Sequence, residues 1–183
     1  MTACFLRRLA GDRRAVSAVE FAIALPVMLL LYVMAFVLSD MTSCNRKVTI
    51  TARAMADMAT RYAALSTSTS AGNSVATIIA ASEQVLTPYS TDNAMVRLSE
   101  VCALSTSATT VQVIWSQVQN GTALTVGSTF TVSSGLFTAG SCQILAEVQY
   151  TYTPAIGLGS VVSIPLYDSI YMTPRLSTSI PLS

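Results

Sequence analysis

The feature that most constrains this chain is an apolar run near its N-terminus. From Phe21 to Ser39, nineteen consecutive residues carry no charged side chain, and the run extends back to Ala15 with Glu20 as its interruption. At a helical rise of about 1.5 Å per residue, such a run crosses a hydrocarbon core about 30 Å thick. The sequence therefore predicts a transmembrane helix over residues 15–39.

The charges around this run predict its orientation. Four arginines precede it within residues 1–14, whereas only Arg46 and Lys47 follow it closely. Because positively charged flanks stay in the cytoplasm, residues 1–14 are expected to form a cytoplasmic leader and the rest of the chain to lie outside. A cleaved secretory signal has a shorter apolar region and an Ala-x-Ala-like site, and the residues after Ser39 lack that site. The pattern favours a retained single-pass anchor.

Glu20 is the unusual residue of the predicted helix. A charge at mid-membrane costs about 2.5–3.5 kcal/mol on insertion scales. Since Glu20 lies near the helix start, its side chain can reach towards the headgroups at lower cost. Two interpretations stay open: a tolerated interfacial acid, or a partner for a positive group in a neighbouring helix.

Helical character continues beyond the apolar run and predicts a stem over residues 40–65. This segment contains neither Pro nor Gly. Its seam residues are spaced alternately three and four apart, and they are Met41, Cys44, Val48, Thr51, Met55, Met58 and Tyr62. Such a seam packs either against the chain's own domain or against sister subunits.

The remaining sequence predicts a linker with a short helix over residues 66–93, then a β domain over residues 94–183. Ser74 is expected to cap a helix from Val75 to about Leu86, with Pro88 beyond its end. Residues 144–152 alternate between apolar and polar, as in a half-buried strand. Val111, Val113 and Trp115 are predicted to share one face of another strand. The whole chain therefore predicts an α+β fold with a small antiparallel sheet.

Three further features refine the predicted β domain. Asn120-Gly121 predicts a tight hairpin between strands 111–118 and 122–126. A first, weaker strand is expected at 95–104 and a last strand at 166–173, with mostly loop over 127–140. Cys102 and Cys142 both lie in strand-like segments and are expected to form a disulfide. Cys44 is expected to be a seam residue or an intermolecular link.

The opening of the membrane helix resembles a known family. Residues 18–26, Ala-Val-Glu-Phe-Ala-Ile-Ala-Leu-Pro, preceded by arginines and followed by an aliphatic run, resemble the start of TadE-like proteins. These are minor pseudopilins of bacterial tight-adherence (Flp, type IV) pilus assembly systems. Segments 113–116, 146–154 and 171–175 resemble the external half of the same family.

This resemblance implies specific residues and partners. A prepilin peptidase cut between Ala15 and Val16 would leave Glu20 at the fifth mature position, although family members usually have Gly where Ala15 stands. Glu20, Phe21 and Pro26 would then serve helix packing in assembly. The implied location is the bacterial inner membrane with a periplasmic domain, and the implied partners are pilin subunits and the assembly machinery.

Composition argues against catalysis and against nucleic-acid binding. The chain has no histidine, and its net charge of +1 includes no basic stripe. Glu83, Glu100, Glu147 and Asp168 stand singly and are expected to be solvated. We therefore expect a non-enzymatic protein with no cofactor, no metal and no small-molecule substrate. The alternative is a membrane-anchored periplasmic sensor or adhesin-like binding protein.

Overall fold

The computed structural model describes residues 13–69, 71–154 and 163–183. It confirms the α+β class: a long N-terminal helix precedes a short helix and an antiparallel sheet. Most of the predicted leader, residues 1–12, lies outside the described residues. The elements are α1 (Arg13–Ala59), α2 (Val75–Glu83), β1 (Ala94–Ala103), β2 (Thr110–Gln119), β3 (Thr129–Thr131), β4 (Cys142–Tyr152) and β5 (Ile164–Met172).

Helix α1 is continuous and has two different environments along its length. Its 47 residues span about 70 Å and include Pro26. Apolar side chains from Val16 to Leu38 are largely exposed, whereas most of those that follow are buried against the domain, with Ile50 as an exposed exception. Within the described residues, one helix near the N-terminus is thus long and apolar enough to span a membrane.

The second half of α1 docks on the chain's own sheet. Its fully buried residues are Cys44, Val48, Thr51, Ala52, Met55, Ala56 and Ala59. The predicted seam thus packs inside the molecule, with Met41 and Met58 partly buried at its margins. Tyr62 falls after the end of α1 and stays more than one-third exposed.

Helix α1 ends at Ala59, six residues before the predicted end of the stem. The carbonyl of Thr60 accepts a hydrogen bond from the Arg175 backbone N–H at 3.2 Å. Leu65 then pairs with Leu182 in an isolated parallel bridge. Residues 175–183 therefore form hydrogen bonds with backbone groups that a longer helix would have used. No local pattern in residues 60–65 predicts that the helix ends there.

The five strands form one antiparallel sheet in the order β3-β2-β1-β4-β5. Strands β4 and β5 run beside α1: Tyr152 contacts Asp40 at one end, and Met172 contacts Thr60 at the other. The alternation predicted for residues 144–152 is confirmed on the helix-facing side, where Ile144, Ala146, Val148, Tyr150 and Tyr152 join the core.

Trp115 does not share a face with Val111 and Val113, which corrects the sequence prediction. The register between β1 and β2 shifts after Glu100, which pairs with Trp115, while Val101 pairs with Val113. This bulge leaves one extra residue in β2 and reverses the side-chain alternation. Trp115 consequently packs in the helix-facing core, and the two valines pack in a second core on the outer face.

The predicted hairpin strand over residues 122–126 is wrong. Asn120 does adopt a positive φ of 55°, as a turn there requires. The following residues, however, cross the outer face as a loop, and β2 pairs instead with Thr129–Thr131. A two-residue hairpin would leave the outer apolar residues of β2 uncovered, whereas the longer excursion places Phe130 and Phe137 over them.

The short helix matches its predicted face. Val75, Ile78, Ile79 and Ser82 are buried, as expected from their spacing. The α-helix ends at Glu83 and continues as a 3-10 turn through Leu86. Ser74 occupies the N-cap position, but its side chain makes no capping hydrogen bond.

Candidate functional site

The N-terminal half of α1 carries the residues singled out for assembly. Glu20, Phe21 and Pro26 all lie in its exposed part, and Phe21 is 65% exposed. The bond between Ala15 and Val16 lies close to Arg13, where the described helix starts. The structure therefore brings none of these side chains against the sheet domain, and this surface is available to lipid or to another helix.

A hydrogen-bonded cluster joins α1 to the domain where the apolar run ends. The hydroxyl of Tyr152 donates to Asp40 Oδ2 at 2.6 Å, and that of Tyr89 donates to Asp40 Oδ1 at 2.9 Å. Burial, and then the hydrogen bond to Asp40, raises the pKa of Tyr152 to about 12 and shifts the pKa of Tyr89 upwards as well. Both phenols therefore stay protonated at neutral pH and act as donors to one carboxylate.

Lys47 adds a second connection at the same junction. Its ammonium donates to the carbonyls of Val85 at 3.2 Å and Thr87 at 2.5 Å. These carbonyls belong to the turn after α2, so the cation ties that turn to α1. Together with Asp40, Lys47 ties α1 to the domain near the start of its docked half.

Cys44 lies one turn beyond Asp40 and is a free, buried cysteine. Burial, with a smaller effect of the Asp40 charge, raises the pKa of its thiol to about 11. The reactive thiolate is therefore scarce at neutral pH. This environment agrees with the seam interpretation and disfavours the intermolecular link in the docked state.

At the far end of α1, polar contacts hold the helix to the final segment. Asp57 pairs with Arg61 one turn later and with Arg175. The hydrogen bond from Arg61, together with the charges of both arginines, lowers the pKa of the Asp57 carboxyl despite some desolvation. These pairs are partly exposed, so each contributes little stability by itself.

A buried carboxylate attaches the final segment to the sheet. Glu100 Oε1 accepts the Ile180 backbone N–H at 2.6 Å, and its Oε2 accepts Trp115 Nε1–H at 3.1 Å. The indole N–H also contacts the Ile180 carbonyl at 2.7 Å. Burial raises the pKa of Glu100, while the hydrogen bonds that it accepts from the Ile180 backbone and from the Trp115 indole act in the opposite direction.

The two cysteines expected to pair are directly opposite each other in the β1–β4 register, and the structure joins them by a disulfide. Ligand atoms of Cys102, Cys142 and Glu100 lie within 4.8 Å of one another. However, the two sulfur atoms are bonded to each other, and the carboxylate is occupied by Ile180 and Trp115. This group therefore presents no set of free ligands.

The expectation that the four singly standing acidic residues are solvated is wrong for three of them. Glu83, Glu100 and Glu147 are each at most 6% exposed. Glu147 pairs with Arg97 at 2.7 Å, and Glu83 Oε2 accepts from the Gln119 amide at 3.0 Å. Their partners are distant in sequence, so a charge standing singly in the sequence gave no indication of pairing.

Asp40 and Tyr89 were not singled out from the sequence, and Tyr152 was expected there as a packing residue of the alternating strand, although a weak signal for Asp40 exists. Asp40 is the first charged residue after the apolar run, and an acid there needs a partner if the domain covers it.

No protein-family model, curated protein or solved structure matches this chain.

Proposed function

We propose that the protein is a TadE-like minor pseudopilin that acts as a non-catalytic structural component of a bacterial tight-adherence pilus. In this proposal α1 crosses the inner membrane, residues 1–14 lie in the cytoplasm and the sheet domain lies in the periplasm. The protein is held in the membrane and is then packed against pilin subunits, with the help of the assembly machinery.

One observation carries the proposal: a single continuous helix has one half docked on a sheet domain and the other half exposed and apolar. The exposed half contains the resemblance to TadE-like proteins over residues 18–26. A helix that only anchors a domain needs no carboxylate in its apolar part, whereas Glu20 stands within the run. In an assembly, a neighbouring helix can supply a positively charged partner for that carboxylate.

Glu20 would act as the recognition group between helices. If a prepilin peptidase cuts between Ala15 and Val16, the new α-amino group of Val16 is positively charged at neutral pH. In a low-dielectric setting an unpaired charge is costly, so the Glu20 carboxylate of one subunit pairs with the amine of its neighbour. Without the cut, Arg13 or Arg14 of the neighbour takes that role. In both cases the pair fixes the axial stagger of adjacent helices, and Phe21 and Pro26 shape the contact.

The test is Glu20→Gln, which removes the charge and nearly preserves the shape. We expect the variant to remain in the membrane fraction at the level of the parent, because a neutral side chain inserts at least as well. Incorporation into pili should fall more than about tenfold, since breaking a buried charge pair costs several kcal/mol. Immunoblots of sheared pili and of alkali-washed membranes measure the two quantities.

The matched control is Asp92→Asn, which removes an exposed carboxylate beside the outer face of the sheet, opposite α1. It should assemble like the parent. Equal assembly by Glu20→Gln would refute the pairing mechanism. N-terminal sequencing of the mature protein decides the processing step separately, because a start at Val16 shows the cut and a start at Met1 excludes it.

A further inference from the structure

An open cavity of about 450 Å³ lies on the outer face of the sheet, opposite α1. Its size falls within the range of about 300–1,000 Å³ that is typical of small-molecule sites. The polar and flexible side chains that line it come from β1, β4, the turn before β1 and the loop after β2, and include Asp92, Met95, Arg97, Asn120, Gln149 and Thr151. The membrane helix contributes nothing to this cavity, so the proposed assembly role leaves it unexplained.

Arg97 is held in place at the wall of the cavity. Its Nε–H donates to Glu147 Oε2 at 2.7 Å, and one terminal N–H donates to the Thr122 carbonyl at 2.9 Å. The other oxygen of Glu147 accepts the Tyr167 hydroxyl at 2.7 Å. Glu147 is only 6% exposed and has both oxygens occupied, so it positions Arg97 and is not available to a ligand.

This arrangement leaves part of the guanidinium available. Among the residues that the structure describes, the Nη2 amino group of Arg97 has no hydrogen-bond partner. A donor that is already fixed in direction loses little entropy when it binds. Arg97 is therefore a preorganised donor that opens towards the cavity.

The remaining lining residues offer both acceptors and donors. Asn120 Nδ2 donates to the Thr91 and Ala94 carbonyls, which leaves its amide oxygen as an acceptor. Asp92 is exposed, and its Oδ2 accepts a hydrogen bond from the Ser90 hydroxyl two residues earlier. Gln149 and Thr151 project from β4 at exposed positions that alternate with buried ones. The cavity thus combines planar amides, a carboxylate, a hydroxyl and a guanidinium.

The charge balance decides which class of ligand fits. The positive charge of Arg97 is compensated by Glu147 directly beside it, and Asp92 adds a further negative charge. An anion would therefore meet no positive excess, and anion binding depends on such an excess. A neutral polyhydroxylated ligand meets no such obstacle, because each hydroxyl group both donates and accepts. We infer that this cavity is a binding site for a neutral saccharide, with Met95 beneath the apolar face of the sugar ring.

The experiment uses the full chain in a polyoxyethylene detergent, which contains no sugar, and follows amide signals by nitrogen–proton NMR. Cellobiose, diacetylchitobiose and glucuronate are each raised to about 10 mM, which fills nine-tenths of a site whose Kd is about 1 mM. We expect one or both neutral disaccharides to shift the signals of Met95, Arg97 and Thr151 and of the Gln149 side-chain amide. A preference for diacetylchitobiose would indicate an N-acetylated glycan of the cell-wall type, and a preference for cellobiose would indicate a non-acetylated one.

Two variants and a matched control test the assignment. Gln149→Ala should weaken binding at least about threefold, the loss expected for one neutral hydrogen bond. Arg97→Lys keeps a cation beside Glu147 but loses the planar fork, and it should weaken binding about tenfold. Gln84→Ala removes an exposed glutamine on the helix-facing side and should bind like the parent.

Three results would overturn the inference. The first is that neither neutral disaccharide shifts the cavity signals. The second is equal affinity in Gln149→Ala and Gln84→Ala. The third is glucuronate binding in the same cavity more than about tenfold tighter than cellobiose, because the site would then select anions despite its charge balance.

Discussion

Replacement of Met55 tests whether the second half of α1 is a structural element of the domain. Met55 is fully buried in the core between α1 and the sheet. Met55→Ala removes three heavy atoms, and at about 0.8 kcal/mol for each methylene-sized group the lost transfer free energy is about 2.4 kcal/mol. Incomplete relaxation adds about 24 cal/mol for each Å³ of residual cavity. We therefore expect the free energy of unfolding to fall by about 2–4 kcal/mol.

The same helix provides a matched control. Met34 is 51% exposed in the apolar half, so Met34→Ala should leave the stability of the sheet domain within about 0.5 kcal/mol of the parent. The assay is urea unfolding in non-ionic detergent, followed by the fluorescence of Trp115. This is the chain's one tryptophan, and it lies in the same core as Met55.

Two outcomes would refute the reasoning. Equal unfolding curves for Met55→Ala and Met34→Ala would mean that Met55 is not buried by the sheet. Unchanged unfolding of Met55→Ala together with a lower oligomer mass would mean that the seam contacts sister subunits, which is the alternative that the heptad spacing alone leaves open. Met55→Glu should have a larger effect than Met55→Ala, because a charge would enter the same core.

Two further predictions concern the sheet and the junction. Replacing Cys102 and Cys142 together by Ser should lower the free energy of unfolding by about 4 kcal/mol, because the cross-link closes a loop of 40 residues. Mass spectrometry of non-reduced peptides should find this pair linked and Cys44 free. A cross-link to Cys44 would contradict this prediction. Asp40→Asn should lower the pKa of Tyr152 from its raised value of about 12, because the hydrogen bond to the Asp40 carboxyl and its charge are removed while the burial remains. Tyr167 should keep its pKa of about 12, and NMR of labelled tyrosine rings measures both values. Since the folded pKa of Tyr152 lies above its unfolded value, its contribution to stability is complete below about pH 10 and is lost as the pH rises to about 12. The parent should therefore lose stability across this window more steeply than Asp40→Asn, and equal slopes would show that Asp40 has no effect on the phenol.

Local patterns in the sequence were sufficient for the elements whose environment is uniform. The apolar run over residues 15–39 predicts an exposed apolar helix, because its length and composition are both local properties. The spacing of Val75, Ile78 and Ile79 predicts the buried face of α2 for the same reason. The alternation over residues 144–152 predicts the helix-facing side of β4, because the side-chain period of a strand is fixed at two.

Long-range contacts decided what the patterns could not. The seam over residues 41–62 predicts an apolar interface but not its partner, and only the tertiary structure shows that the partner is the sheet of the same chain. The end of α1 at Ala59 involves Arg175, which lies more than one hundred residues away. The backbone N–H of Arg175 donates a hydrogen bond to the carbonyl of Thr60. The face occupied by Trp115 depends on the bulge opposite Glu100, because one inserted residue reverses the alternation of β2.

The polar groups show the same division most clearly. Asp40 and Glu147 are ordinary acids in the sequence, since neither has a charged partner within one turn or two strand positions. In the folded chain Asp40 receives hydrogen bonds from Tyr89 and Tyr152, and Glu147 holds Arg97 at the wall of the outer cavity. The sequence alone determined which segments are apolar and with which period, because these are nearest-neighbour properties of the chain. The tertiary structure determined which polar groups are buried and paired, because a buried charge takes its partner from whichever strand or turn the fold places beside it.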